Sequence, residues 1–289
     1  MLLKVDSTSK GMIEGWKYYN HAAIPTCAPH EVPDINPIKN GDVWRADALK
    51  KGSIVFFARY VTDFDCAEET SFWYVIKESP FALDDLDKKY QKHIKKSLER
   101  CEVRRINPIE YIEDLYSVYQ KAYETYKVPD NYQGKESFVS TIRSSSLDYW
   151  AAFSRESGEM AGWMSCRNNG TWTETVSAKY DPSLKTLFPS DAIHYAILDY
   201  YLNQLGHKYI NSGSRNISHV TNVQDYKIKH WNFKRAHCKL HVVYNPKVRW
   251  VINLIYPFRR ILECLDGIKL MHQINAVMIM ESIVRKDVK

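Results

Sequence analysis

The stretch Tyr149–Lys179, YWAAFSRESGEMAGWMSCRNNGTWTETVSAK, decides how this chain folds. Tyr149–Ser154, Ala161–Arg167 and Thr171–Lys179 are short runs of aromatic, β-branched and small residues, a composition that suits a pleated surface. Asn168-Asn169-Gly170 joins the last two as a tight hairpin, with Gly170 where the backbone needs positive φ. Arg155–Glu159, containing Gly158, turns the first run into the second. Three consecutive antiparallel strands are therefore expected from this segment alone.

Downstream, the pattern changes from hairpins to alternating strands and helices. Pro189-Ser190-Asp191 starts a helix, the apolar run Ala192–Leu205 continues it, and Gly206 ends it. Tyr209-Ile210 begins a strand that runs into the polar stretch Asn211–His219. Val223–Trp231 reads as a helix and Phe233–Tyr244 as the last strand. Upstream, Cys101–Ile106 is a short strand, and Asn107-Pro108 opens a helix with Glu110 close to a capping-box position. Its inner stripe is Ile112, Leu115, Tyr116, Tyr119, Ala122, Tyr123 and Tyr126, and Ser137–Arg143 is a second short helix. Antiparallel hairpins followed by strand–helix crossovers specify an α+β protein, a mixed central sheet with flanking helices.

Outside this region, prolines 25, 29, 33 and 37 mark residues 18–40 as an extended arm with little room for helix. Ser53–Val61 and Ser71–Lys77 read as two paired strands, an N-terminal partial sheet, and Asp84–Arg100 as a basic helix. From Asn245 a helical tail follows, broken near Pro257. Its apolar residues with Arg249, Arg259 and Arg260 suit packing on the domain, a second copy, or peripheral contact with a membrane. The expected segments are thus residues 1–100, 101–244 and 245–289.

The formal net charge of +6 lies in one place: Lys88–Arg105 holds eight Lys or Arg against Glu99 and Glu102. Such a local excess points to an anion-facing feature rather than a general nucleic-acid surface. The six cysteines form no C-x-x-C pair, which suits reduced thiols in the cytoplasm. His237, Cys238 and His241 cluster in sequence, but strand alternation turns Cys238 away from the histidines, and no metal is expected. Met1–Asp6 does not read as a signal peptide. No stretch reaches the roughly 18 apolar residues of a spanning helix.

The element order and three strings resemble the GNAT-type acyl-CoA N-acyltransferase fold, and more narrowly its FemAB-like branch of peptidoglycan-bridge aminoacyltransferases. Lys88–Leu98, KKYQKHIKKSL, is similar to the basic helix of that branch. Phe188–Tyr195, FPSDAIHY, looks like the start of its donor-side helix. Asp225-Tyr226-Lys227 with Trp231-Asn232-Phe233-Lys234 is similar to its closing helix–strand step. The likeness covers roughly residues 70–244. It implies an N-acyltransferase moving an acyl or aminoacyl group onto a small-molecule or glycan-linked amine, such as an amino sugar of a cell-envelope glycan. The implied donors are an acyl-CoA or an aminoacyl-tRNA. The Q/R-x-x-G-x-G/A loop that holds the diphosphate of acetyl-CoA in GNAT enzymes is replaced by the glycine-free Asp181–Ser190, which weakens such a cradle.

An acyl transfer needs a base for the amine and a donor for the developing oxyanion. The backbone of Thr173–Ser177 is the oxyanion donor that the resemblance implies, with Thr175, Ser177, Lys185 and Ser190 on the acyl donor. Glu174 and His219 are candidate bases, and Tyr226 is the phenol nearest the position of a general acid. Ser214 and Arg215, in a polar loop after a strand, are candidates for the acceptor, as are Lys92, Lys95 and Lys96 of the basic helix. No Ser–His or Cys–His arrangement suggests a covalent intermediate, so direct attack is expected. A catalytically silent acyltransferase-like module that binds a phosphorylated ligand or a protein partner fits the same residues.

Overall fold

The computed structural model describes residues 13–45, 47–126, 132–217, 222–265 and 269–287. Strands β1 (Trp16–Tyr19) and β2 (Ala22–Pro25) form a hairpin over Asn20 and His21, both at positive φ, 45° and 62°. That is the two-residue turn whose twist matches its strands. The arm expected at residues 18–40 thus contains a hairpin, and also one helical turn, α1 (Asn36–Lys39). Next come β3 (Phe57–Thr62), β4 (Phe72–Glu78) and α2 (Lys88–Arg100). The carboxylate of Asp87 accepts from the N–H groups of Lys89 and Tyr90 and so caps α2. Then follow β5 (Cys101–Ile106), α3 (Ile112–Glu124), α4 (Lys135–Arg143), β6 (Asp148–Ser154), β7 (Met160–Asn168) and β8 (Thr173–Tyr180). A 3₁₀ segment at Pro182–Leu187 leads into α5 (Pro189–Leu198), which relaxes into a π-helical stretch, Asp199–Gln204. The last elements are β9 (Tyr209–Ser214), α6 (Val223–Trp231), β10 (Lys234–Tyr244), α7 (Pro246–Ile255), α8 (Arg259–Glu263) and α9 (Lys269–Asp287).

The chain packs as two compact units. One comprises Met1–Tyr74, Ser214–Thr221 and Arg235–Lys289, the other Val75–Gly213 and Asn222–Lys234. This division cuts across the sequence segments 1–100, 101–244 and 245–289.

In the first unit β2 pairs parallel with β3, and β3 pairs antiparallel with β10, from Phe57 opposite Tyr244 to Thr62 opposite Lys239. The strands expected at Ser53–Val61 and Ser71–Lys77 are not neighbours, because β10 lies between β3 and β4. Local pattern shows that two runs are strands; it does not show which distant run pairs with them. The core is Phe57, Val61, Phe72, Leu240 and Val242, covered by Ile252, Met278, Met280 and Ile283 of the tail helices. Cys238 is buried, while His237 and His241 bind Thr70 and Thr62. Strand alternation does separate them.

In the second unit the strand order is β9-β8-β7-β6-β5, antiparallel from β5 to β8 and parallel between β8 and β9. This is the hairpin-then-crossover order expected from the sequence. Leu115, Tyr116 and Tyr119 of α3, with Phe138 and Ile142 of α4, pack on Tyr149, Ala151, Phe153, Met160 and Trp163. Full burial of one such side chain contributes about 1.5–3 kcal/mol. Gly162 of β7 sits opposite Tyr180 of β8, and a Cβ there would lie 2.5 Å from the tyrosine ring. Only glycine lets that ring lie across the sheet. Among the described residues no helix is long and apolar enough to cross a membrane.

Candidate functional site

The ladder between β8 and β9 is two pairs long, Thr173 with Ile210 and Glu174 with Asn211. Beyond it β8 runs on to Tyr180 and β9 to Ser214 without further pairing between them. At the same point β8 is bulged. Thr175 faces Cys166 and Ser177 faces Ser165, which leaves Val176 without a partner on β7. A bulge releases backbone groups from the ladder and re-aims them. The carboxyl end of a parallel pair is also where open sheets receive ligands. The residue released in this way is Val176.

Lys227 of α6 reaches this opening from the β9 side. It is 4% exposed, and its Nζ donates to Oγ of Ser212, the first β9 residue beyond the ladder, at 2.5 Å. Among the described residues no carboxylate lies within ion-pair distance of Nζ. Burial therefore pulls its pKa down from 10.5 to about 8, opposed by the nearby Cys166 thiol. A lysine so tuned exchanges a proton near neutral pH. His194 of α5 is buried beside it. Its Nδ1 lies 2.7 Å from the carbonyl of Ser190, so Nδ1 carries the proton and Nε2 is the bare nitrogen. Burial, with the charge of Lys227, lowers the pKa of His194 to about 3, and the imidazole stays neutral.

A second cluster surrounds Asp191 in the first turn of α5. Its Oδ1 accepts from the hydroxyls of Tyr90 and Tyr226, each at 2.5 Å, and its Oδ2 lies 2.9 Å from Nδ1 of His93. The two hydroxyls also touch each other. Burial, then the Asp191 carboxylate, holds both phenols well above their usual pKa, so both stay protonated. Tyr90 and His93 stand one turn apart on α2, and Tyr226 stands on α6 next to Lys227. The cluster ties α2, α5 and α6 together behind the opening.

The residues singled out from sequence divide into groups. Thr175 and Ser177 lie at the bulge, Tyr226 in the Asp191 cluster, and Ser190 beside His194. Glu174 is engaged across the hairpin with Arg167, Nη1 to Oε2 at 2.6 Å, and the two are register partners. Lys185 is exposed in the 3₁₀ segment. Lys92, Lys95 and Lys96 are exposed on the face of α2 opposite Ile94. Ser214 and Arg215 belong to the first unit, where Arg215 stacks on Trp73, 4.8 Å away, and donates to the Ser71 carbonyl. His219 lies outside the described residues. Sequence reading passed over Asp191, Tyr90, His93 and Lys227. An acid in a helix first turn and a lysine between Tyr226 and Ile228 look like ordinary surface residues until burial is known.

The α5 terminus offers an anion little. Pro189 has no N–H, and those of Asp191 and Ala192 bind the Phe188 carbonyl at 3.0 and 3.3 Å. Asp181 caps the preceding 3₁₀ turn through Ser183 and pairs with Lys121 at 2.6 Å. Among the described residues, no group of three or more His, Cys, Asp or Glu is arranged to hold a metal.

A bulged strand, a parallel neighbour that parts from it, and a helix between them form one recognisable unit. This is the α+β arrangement, a mixed sheet with flanking helices, that the sequence led us to expect. No family model matches the chain, and no curated protein matches it. Similar solved structures include L-PGS from Bacillus licheniformis (13% identity, 66% of this chain, TM-score 0.42) and FemX (9% identity, 69% of this chain and 68% of that one, TM-score 0.48). A tandem GNAT protein from the clavulanic acid biosynthesis pathway is 10% identical over 77% of this chain and 75% of that one, with a TM-score of 0.42. The chain spans 62% of the length of the Bacillus licheniformis protein.

Proposed function

We propose that this protein is an acyltransferase that moves an acyl or aminoacyl group onto an amine by direct attack. The observation that carries the reading is the coincidence of three features. The β8–β9 ladder ends, β8 bulges at Val176, and a buried lysine with a pKa of about 8 stands at the gap. The acceptor amine attacks the acyl carbonyl carbon while the N–H group freed at the bulge takes up the charge on the carbonyl oxygen. Neutral Lys227 accepts the proton lost by the amine as the C–N bond forms. It returns that proton to the leaving atom as the donor's C–O or C–S bond breaks. Tyr226 and Tyr90 stay protonated and, with Asp191, hold α6 and hence Lys227 in place.

Between the two donor classes, the α5 terminus favours an aminoacyl ester over an acyl-CoA, because it has few N–H groups left for a diphosphate. Both Fem-type glycan-linked amines and free amines remain within the acceptor class. The test is consumption of the donor. Protein mixed with a pool of aminoacyl-tRNAs, or with a panel of acyl-CoAs, and an amine acceptor should discharge the ester faster than the thioester. Lys227→Met should lower that rate at least about a hundredfold, the usual contribution of a positioned acid–base group. No discharge of either donor above the protein-free rate, or full activity in the variant, would sink the proposal.

A further inference from the structure

The first unit contains a cavity of ≈ 380 Å³ between the α8 and α9 helices and the end of β9, lined by Arg215, Arg259, Arg260 and Lys286 with Glu263 as its one carboxylate. We infer that this cavity is a binding site for a diphosphate group. Four cationic side chains from three segments meet here against one acid, an excess of three positive charges. Among the described residues none of the three arginines ion-pairs with a carboxylate. Two of them are pre-positioned. Arg215 lies over Trp73 and donates to the Ser71 carbonyl, and Arg259 lies 4.4 Å over Tyr256 and donates to the Tyr256 carbonyl at 3.3 Å. Each spends one face and one N–H on its support and keeps the rest of its fork. Arg260 makes no side-chain hydrogen bond at all among the described residues. Guanidinium forks held in this way match phosphate oxygens in pairs, which ammonium groups do not. The Ser282 hydroxyl donates to the Met278 carbonyl at 2.9 Å and accepts from the Tyr256 hydroxyl at 3.1 Å, so it has no hydrogen left for an anion. The donors that face an anion are therefore the four cations.

The charge balance selects the ligand. A single phosphate monoester leaves about one positive charge unmatched, whereas a terminal diphosphate carries about three negative charges at neutral pH. The volume lies at the lower end of small-molecule sites, enough for two phosphates and the start of the group they esterify. The inference stands apart from the acyl-transfer reading, since neither Lys227 nor Asp191 takes part in it. The same chemistry could arrive as a soluble diphosphate or as a diphosphate carried on a lipid.

The experiment titrates the full chain with inorganic pyrophosphate by calorimetry at low ionic strength, and separately floats it with phosphatidylglycerol or phosphatidylcholine vesicles. Arg260→Gln removes a side chain with no internal partner, so it leaves the fold unchanged; Arg259→Gln/Arg260→Gln is the stronger variant. Pyrophosphate should bind, and the double variant should weaken it by about tenfold to a hundredfold, the loss expected for one or two charge-assisted hydrogen bonds. Lys92→Gln/Lys95→Gln/Lys96→Gln should bind as well as the parent. If vesicles of phosphatidylglycerol are bound and pyrophosphate is not, the cavity takes a single phosphodiester and the inference of a diphosphate fails. No binding of either probe, equal binding by the arginine variants, or loss in the triple lysine variant instead would overturn the inference.

Discussion

Replacing Lys227 by Met should stabilise the protein while disabling it. The fall of the lysine pKa from 10.5 to about 8 on burial means that keeping this side chain charged in the folded state costs about 3 kcal/mol. Methionine has a similar length and no charge to desolvate. It forfeits the bond to Ser212 and leaves that hydroxyl without its donor, a loss of about 1 kcal/mol. The net expectation at pH 7 is a gain of about 2 kcal/mol in denaturant unfolding. The pH dependence follows from proton counting. Between pH 8 and 10.5 the unfolded chain holds the Lys227 proton and the folded chain does not, so wild-type stability rises with pH through that window. Below pH 8 both states hold it and the penalty is present in full. The advantage of Lys227→Met over wild type should therefore shrink between pH 8 and 10.5 and reverse above it by the value of the Ser212 bond. Urea melts of both proteins at pH 7, 9 and 10.5, followed by tryptophan fluorescence, measure this. A variant less stable than wild type at pH 7, or a difference that does not change with pH, would refute the reasoning.

Other outcomes follow from the same geometry. His194 is held neutral down to about pH 3 in the folded state. Stability should fall as pH drops from about 6.5 towards 3, by up to roughly 5 kcal/mol, and His194→Phe should flatten that limb of the melting-pH curve. Asp191→Asn keeps one acceptor oxygen for Tyr90 and Tyr226 but loses charge-assisted bonding to both phenols and to His93. Denaturant unfolding should show a loss of about 2–3 kcal/mol, and donor discharge should slow through misplacement of Lys227. Gly162→Ala drives a methyl group into the Tyr180 ring and should cost about 1–3 kcal/mol by the same melts, with Gly162→Ala/Tyr180→Leu recovering part of it. If the acyl-transfer reading holds, the discharge rate in wild type should rise with pH to a plateau above about 8, and the remnant rate of Lys227→Met should lack that inflection.

The second unit was legible because its signals are local. The Asn169-Gly170 hairpin, the proline at the start of α5 and Gly206 at the end of its π-helical extension each fix an element by backbone geometry that few residues allow. The pairing of β3 with β10 was not legible, since nothing near Phe57 in sequence refers to Tyr244. The site was half legible for a related reason. Thr175, Ser177 and Ser190 follow from the resemblance to the GNAT-type fold, and Tyr226 from being the phenol nearest the position of its general acid. Asp191 and Lys227 acquire their chemistry from burial, which is a property of the packed chain, and a helix first turn or a mid-helix lysine carries no mark of it. Glu174 shows the converse. A carboxylate in the right strand is drawn off by Arg167, its cross-strand partner.

The way the chain threads its two units bears on its synthesis. The second unit ends at Lys234, so every residue it needs has been made before β10 and the tail helices. The first unit begins with Met1 and closes only when β10 and the tail helices arrive to cover Phe57 and Val61. On a ribosome, which adds about 5–20 residues per second, the hairpin and β3 must wait for about 10–45 seconds with one apolar face uncovered. Of the two units, the one whose strands are made earlier is thus the one that closes later. A stop that removes β10 leaves a unit with a complete set of residues attached to one that cannot close.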